Sequence, residues 1–251
     1  MNKPLLNTTL LFLLVIGFSG GASGQDVPDF DETKRLAEQG DAAAQNNLGF
    51  MYDNGEGVLE NNTEAVKWFR LAAEQGYADA QYNLGFMYDN GEGVPENNAE
   101  AIKLYRLAAD QGSAPAQNNI GFMYDNGDGV PENNTEAVNW YRLAADQGNA
   151  EAQNNLGRHY DNGEGIPENN TEAVKWYRLA ADQGNAEAQN NLGAMYSNGE
   201  GVPESNAEAV KWYRLAAGQG LAIAQSNLGI MYATGRGVPQ NNVRAYAWFS
   251  V

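Results

Sequence analysis

The sequence contains no cysteine, and it has one histidine and few cationic residues. Without cysteine the chain has no disulfide, no thiolate nucleophile and no cysteine-ligated metal, so its fold depends on packing alone. Its 15 Lys and Arg residues face 32 Asp and Glu residues, which gives a net charge of -17. Such a chain repels phosphate backbones and anionic lipid. Composition therefore argues against nucleic acid and membrane-surface partners, and it favours a protein with a basic patch.

The first 24 residues have the order of a cleavable signal peptide. Lys3 precedes an apolar stretch, Leu10 to Phe18, that is too short to cross a hydrocarbon layer of about 30 Å. The small residues Ala22-Ser23-Gly24 then fit the pattern that a signal peptidase reads. We expect cleavage before Gln25 and a periplasmic or secreted protein. An uncleaved anchor is the alternative.

A Gln-Gly dipeptide recurs every 36 residues and divides the chain into similar units. Self-similarity at such a period is typical of helical-repeat proteins. Five complete units span 41–220, and a sixth, truncated before its expected end, spans 221–251. One leading helix, about Phe30 to Gln39, is predicted within 25–40. The units are numbered 1 to 6, and their dividing glycines are Gly40, Gly76, Gly112, Gly148, Gly184 and Gly220.

Each unit is predicted to contain two helices. In unit 1 the apolar residues Leu48 and Met51 lie at helical spacing, and Gly55 supplies the left-handed residue that ends a helix. Asn61 precedes Glu64 by three residues, which is a capping-box arrangement and marks the start of the second helix. One such hairpin cannot bury its apolar face alone, so the pattern predicts an all-α solenoid of stacked units.

Three runs in unit 1 carry a family resemblance. They are Ala-Gln-Asn-Asn-Leu-Gly (44–49), Met-Tyr-Asp-Asn-Gly-Glu-Gly-Val (51–58) and Glu-Ala-Val-Lys-Trp-Phe-Arg-Leu-Ala-Ala-Glu-Gln-Gly (64–76). They resemble Sel1-like repeats, relatives of the tetratricopeptide units, and they recur along the chain. The resemblance implies a right-handed α-solenoid of helix-turn-helix units, with the first helices on its concave surface. It also implies a role in binding other proteins.

The alternative function is that of a secreted hydrolase. Some cysteine-rich secreted members of the Sel1-like family have been credited with β-lactamase or penicillin-binding activity. This chain resembles their helices but lacks their cysteines, and it has no Ser-x-x-Lys motif. The enzyme alternative is therefore disfavoured.

No other pattern predicts chemistry. His159 occupies a position where the other units have Met, which indicates a packed helix residue and not a catalytic base. The loop Asp53-Asn54-Gly55-Glu56-Gly57 has oxygen ligands in a glycine-rich turn, but it lacks the spacing of an EF-hand and its bidentate Glu. We read it as a helix stop, and we expect no catalytic residue, no metal and no cofactor.

The position two residues after the recurrent Leu of the first helix varies between units. Two residues correspond to about 200° around a helix, so these side chains point away from the buried Leu. We predict that they form a strip that contacts a protein or peptide partner, with the protein acting as a monomeric, non-enzymatic scaffold. In the alternative, the strip packs against a neighbouring unit. The strip is Phe50, Phe86, Phe122, Arg158, Ala194 and Ile230, and the candidate partner-binding residues are Phe50, Phe86, Phe122, Arg158, His159 and Ile230.

Overall fold

The computed structural model describes residues 29–250, which form thirteen α-helices and no strand. The predicted all-α repeat architecture is confirmed. The leading helix, α1, is Phe30–Glu38, whereas the predicted signal peptide lies outside the described residues. The first helices of units 1 to 6 are α2 (Ala42–Asn54), α4 (Ala78–Asn90), α6 (Ala114–Asn126), α8 (Ala150–Asn162), α10 (Ala186–Asn198) and α12 (Ala222–Thr234). The second helices are α3 (Asn62–Glu74), α5 (Asn98–Asp110), α7 (Asn134–Asp146), α9 (Asn170–Asp182), α11 (Asn206–Gly218) and α13 (Asn242–Phe249).

The helix ends follow the predicted signals. Gly55 ends α2 with φ of +70°, and its N–H donates to the Met51 carbonyl. The Asn61 side chain then accepts from the Glu64 N–H at 3.2 Å and begins α3. The second loop glycine makes a contact that the sequence did not indicate. A Cβ on Gly93 would lie 2.3 Å from the backbone oxygen of Asn62, so this position brings the loop of one unit against the second helix of the preceding unit.

The two helices of a unit meet where a glycine faces an aromatic ring. A Cβ on Gly121 would lie 2.7 Å from Cδ1 of Tyr141, which is closer than real Cβ atoms approach. Glycine therefore allows the ring to lie directly on the backbone of the first helix. Every unit has this contact, through the pairs Gly49–Phe69, Gly85–Tyr105, Gly121–Tyr141, Gly157–Tyr177, Gly193–Tyr213 and Gly229–Phe249.

The hydrophobic core lies at the junctions between units. The cluster between units 2 and 3 combines the buried Ala101 and Tyr105 of α5 with the buried Ile120 and Met123 of α6. Trp140, on the following second helix α7, packs against the same cluster. The adjacent aromatic residues Trp140 and Tyr141 therefore have different contacts: Tyr141 packs on the glycine of its own unit, whereas Trp140 covers the junction with the preceding unit. Apolar area is buried by stacking, as expected for a solenoid.

Buried glutamines link successive units by hydrogen bonds. Gln81 Nε2 donates to the Ala73 carbonyl at 3.3 Å, which satisfies a backbone acceptor at the end of α3. Gln111 Nε2 in turn donates to Gln81 Oε1 at 2.8 Å. Since a buried polar group without a partner is costly, this ladder fixes how one unit sits on the next. The buried glutamines at the same position of the unit are Gln45, Gln81, Gln117, Gln153, Gln189 and Gln225.

We predict that Gly121→Ala destabilises the protein by about 1–3 kcal/mol, because the added methyl group overlaps the fully buried Tyr141 ring. The measurement is urea or thermal unfolding followed by circular dichroism. Gly218→Ala is the matched control, since Gly218 is helical and a Cβ there would meet nothing within 4 Å. Equal stability of the two variants would show that the glycine–aromatic contact does not limit packing.

Candidate partner-binding surface

The predicted strip is partly open to solvent. Phe50, Phe86 and Phe122 are 44, 40 and 52% exposed, and Ile230 is 46% exposed. These values are far above those of the core residues, and none of the four belongs to a buried hydrophobic cluster among the described residues. The rings are therefore not fully buried between units. Ala194 is half-buried and leaves a gap in the strip.

Arg158 interrupts the strip with an ion pair that joins two units. Its Nη2 lies 2.7 Å from Oδ2 of Asp125, which is near the end of the first helix of the preceding unit. A cavity of about 330 Å³ surrounds this pair, and its lining includes the carboxylates of Glu132 and Glu164. A strip residue thus neighbours the acidic end of the helix one unit earlier.

His159 is fully buried, so its predicted place among the partner-contacting residues is wrong. The residue takes the inward position that Met occupies in the other units, where α8 faces the core. Its Nδ1 lies 2.8 Å from the Glu164 carbonyl, to which it donates. Its Nε2 lies 3.1 Å from Oδ1 of Asp125, without the alignment of a hydrogen bond. His159 therefore acts on the surface only through Asp125, which also contacts Arg158.

Within residues 29–250, no cation pairs with Asp53 or Asp161, at the acidic helix ends of units 1 and 4. Burial, together with the carboxylates of Glu92 and Glu60, raises the pKa of Asp53 to about 6. Burial is also the main cause that raises the pKa of Asp161, and Glu200 and Glu168 add to it. The hydroxyl of the buried Tyr177 donates to Asp161 Oδ2 at 3.3 Å, whereas unit 1 has Phe69 at the position of this tyrosine. Asp53 therefore lacks both a cation and this hydroxyl.

A second apolar row lies on the second helices, and sequence reasoning missed it. Its leucines are 44 to 50% exposed, which is similar to the strip. The available signal was the Leu that follows Arg in each of the first five units. This Leu row consists of Leu71, Leu107, Leu143, Leu179 and Leu215.

Residues 29–250 contain neither the geometry of a metal site nor a helix able to span a membrane. No three His, Cys, Asp or Glu residues in this range are grouped so that they could hold a metal ion. None of its helices combines the length and the apolar character needed to cross a membrane.

Comparison with known proteins identifies the repeats. Six Sel1 repeats match residues 42–77, 78–113, 114–149, 150–185, 186–221 and 222–250. The chain belongs to the Sel1 repeat family. Sel1 repeats are a type of protein-interaction scaffold. No curated protein matches this Sel1 repeat chain.

Solved structures share the fold of this Sel1 repeat chain. A protective antigen present in uropathogenic Escherichia coli strains, which displays an SLR fold, is 43% identical with a TM-score of 0.82. The match covers 88% of this chain and 48% of the antigen, so the chain spans about half of that protein's length. A Sel1 repeat protein from Oxalobacter formigenes is 35% identical over 88% of this chain and 92% of its own, with a TM-score of 0.79. An immunity protein from Pseudomonas aeruginosa shares the fold alone, at 22% identity and a TM-score of 0.53 over 91% of this chain and 83% of its own.

We predict that Asp53→Asn raises the melting temperature at pH 7 by about 1–3 °C. Because the pKa of Asp53 is raised to about 6, the folded protein keeps the carboxyl proton between about pH 4 and pH 6, where the unfolded chain releases it. The contribution of this proton to stability is complete below about pH 4 and is lost as the pH rises through about 6. The variant should lack this decline in melting curves recorded from pH 4 to pH 8.

Asp125→Asn is the matched control at the equivalent position of unit 3. It removes the carboxylate that contacts Arg158 and the buried His159, so it should lower the melting temperature at pH 7. A shift of the same sign in both variants would contradict this account of the acidic helix ends.

Proposed function

We propose that this protein is a non-enzymatic scaffold that binds a protein or peptide along the first-helix face of its solenoid. The observation that carries the proposal is the exposed row of Phe50, Phe86 and Phe122 on a helix frame that is otherwise repeated with little change. Exposed apolar patches on a folded surface commonly mark interaction sites. Aromatic side chains add large contact area at low cost in conformational entropy.

The strip is a better candidate than the Leu row of the second helices. The Leu row is the same in five successive units, as expected of a residue that belongs to the repeated helical structure. The strip instead changes from Phe to Arg158, Ala194 and Ile230, so each unit presents a different side chain. Acidic residues such as Asp125 lie beside it. These features favour a partner that brings both apolar and basic side chains to the concave face.

We further propose that the protein works as a monomer in the cell envelope or outside the cell. The signal-peptide pattern of residues 1–24 supports this location. The 43% identical relative is a protective antigen, which agrees with a place where antibodies have access.

The test replaces Phe50, Phe86 and Phe122 together by Ala and captures the partner from the native envelope fraction. Capture should be lost or strongly weakened, while helicity and the melting temperature stay nearly unchanged, because half-exposed rings contribute little to stability. A buried Phe→Ala change would instead cost about 3–5 kcal/mol at each site. The readout is mass spectrometry of the captured proteins together with a melting curve.

The matched control replaces Leu71, Leu107 and Leu143 by Ala. These residues lie in the same three units and are exposed to a similar extent, but on the second helices. The control should capture the partner as the unaltered protein does. A well-folded Phe variant that retains full capture, or equal loss in both variants, would refute the assignment of the binding site to the strip.

A further inference from the structure

In unit 3 a guanidinium group occupies the acidic end of the first helix. Arg158 comes from the next unit, and its Nη2 lies 2.7 Å from Asp125 Oδ2. The cavity around the pair is also lined by Glu132, Asn134 and Glu164. Three carboxylates and three amides, those of Asn126, Asn134 and Asn162, therefore line the space around one arginine.

In unit 5 a different arginine reaches the equivalent place. Arg236 lies in the loop after α12, and its Nε donates to Asn206 Oδ1 at 3.2 Å. Its Nη2 donates to the backbone oxygen and to Oγ of Ser197, at 3.0 and 3.1 Å. Ser197 and Asn206 are the unit 5 equivalents of Asp125 and Asn134. Two unrelated sequence positions thus deliver a guanidinium to the same part of the unit.

Units 1 and 4 have acidic and amide residues at the equivalent sequence positions but no arginine beside them. The positions of Arg158 and Arg236 are occupied by Phe86 and Glu92 beside unit 1, and by Ala194 and Glu200 beside unit 4. We call these two groups of residues the unit 1 cluster and the unit 4 cluster. The unit 1 cluster is Asp53, Glu60, Asn62 and Glu92, and the unit 4 cluster is Asp161, Glu168, Asn170 and Glu200.

Both clusters contain an acceptor without a donor. The Oδ1 atoms of Asn62 and Asn170 are buried and have no hydrogen-bond partner, whereas the equivalent atom of Asn206 accepts from Arg236. An unpaired buried acceptor is costly, so a donor that reached it would be favoured. Burial and neighbouring carboxylates raise the pKa values of Asp53 and Asp161, so a cation that reached either carboxylate would be favoured.

We propose that the unit 1 and unit 4 clusters each bind the guanidinium of an arginine side chain that a protein partner supplies. This inference deepens the proposed function and rests on it. Arginine is favoured because its planar group carries several N–H donors, which can bond a carboxylate and an amide oxygen at once. Within the described residues the carboxylates are not grouped closely enough to hold a metal ion. Phe86 beside the unit 1 cluster also offers an aromatic surface to the same cation.

The test uses a fluorescein-labelled hexa-arginine peptide and the purified protein in fluorescence anisotropy titrations at physiological salt. Ala194→Arg places in unit 4 the arginine that unit 3 carries as Arg158, so it should fill the unit 4 cluster. The unit 1 cluster stays open, so the amount of hexa-arginine bound at saturation should fall by about half, and the melting temperature should rise. Leu179→Arg adds the same charge to an exposed position of the same unit, and it should leave the amount bound at saturation nearly unchanged.

The reverse change opens an occupied site. Arg158→Ala frees Asp125 in unit 3, so hexa-arginine should bind more tightly. Lys175→Ala removes one positive charge from an exposed helix position, and it should have a smaller effect. These two variants separate the local site from the overall negative charge of the chain.

An equal effect of Ala194→Arg and Leu179→Arg on the amount bound would overturn the proposal, because the peptide would then sense only net charge. Absence of hexa-arginine binding would overturn it as well. The strip is tested separately by partner capture with the triple Phe variant. If the peptide results are as predicted but the triple Phe variant still captures the partner fully, the clusters bind arginine and the proposed function is wrong. If the triple Phe variant loses capture but the peptide results are not as predicted, the proposed function holds and the clusters do not bind arginine.

Discussion

The contact between a glycine of each first helix and the aromatic ring of the following helix sets the spacing on which the other interactions depend. With no Cβ at Gly121, the Tyr141 ring lies on the backbone of α6 and is fully buried. Unit 3 then stacks on unit 2 through the buried cluster of α5 and α6 and through Trp140. The glutamine ladder then joins units that are already at the right distance, as between Gln81 and the Ala73 carbonyl of the preceding unit. The spacing of the two helices in a unit and the stacking of successive units are therefore determined together, in the same way in each unit.

Because packing is satisfied on the inner positions, the exposed positions can differ between units without disturbing the frame. The strip changes from Phe122 to Arg158 to Ala194 over three units while the glycine–aromatic contact beside it persists. The acidic helix ends also differ between units. Asp53 lies near the carboxylate of Glu92 without the arginine that pairs with Asp125 in unit 3. An arrangement of residues that lowers stability is expected where it serves binding.

The sequence was sufficient to predict the repeat and the helix boundaries, because these follow from local periodicity and from caps such as Asn61. It left open whether the strip is exposed or packed against a neighbouring unit. It was insufficient for contacts that depend on how units stack. The pairing of Arg158 with Asp125 crosses from one unit to the preceding one, so it depends on the offset between units, which no single helix encodes. The Met at the equivalent position of other units already indicated that His159 is packed, and the error was to count it among the partner-contacting residues as well. The Leu row was visible as a repeated letter, but only the structure separates its exposed leucines from buried ones such as Leu48.

The central claim, that recognition lies on the first-helix face, is tested most directly by photo-crosslinking. The photoreactive residue p-benzoylphenylalanine would replace Phe86 in one protein and Leu107 in another, two half-exposed positions on neighbouring helices of unit 2. The account predicts that the residue at position 86 crosslinks to the captured partner, through a partner segment that contains arginine, and that the residue at position 107 does not. Crosslinking from position 107 with none from position 86 would contradict it.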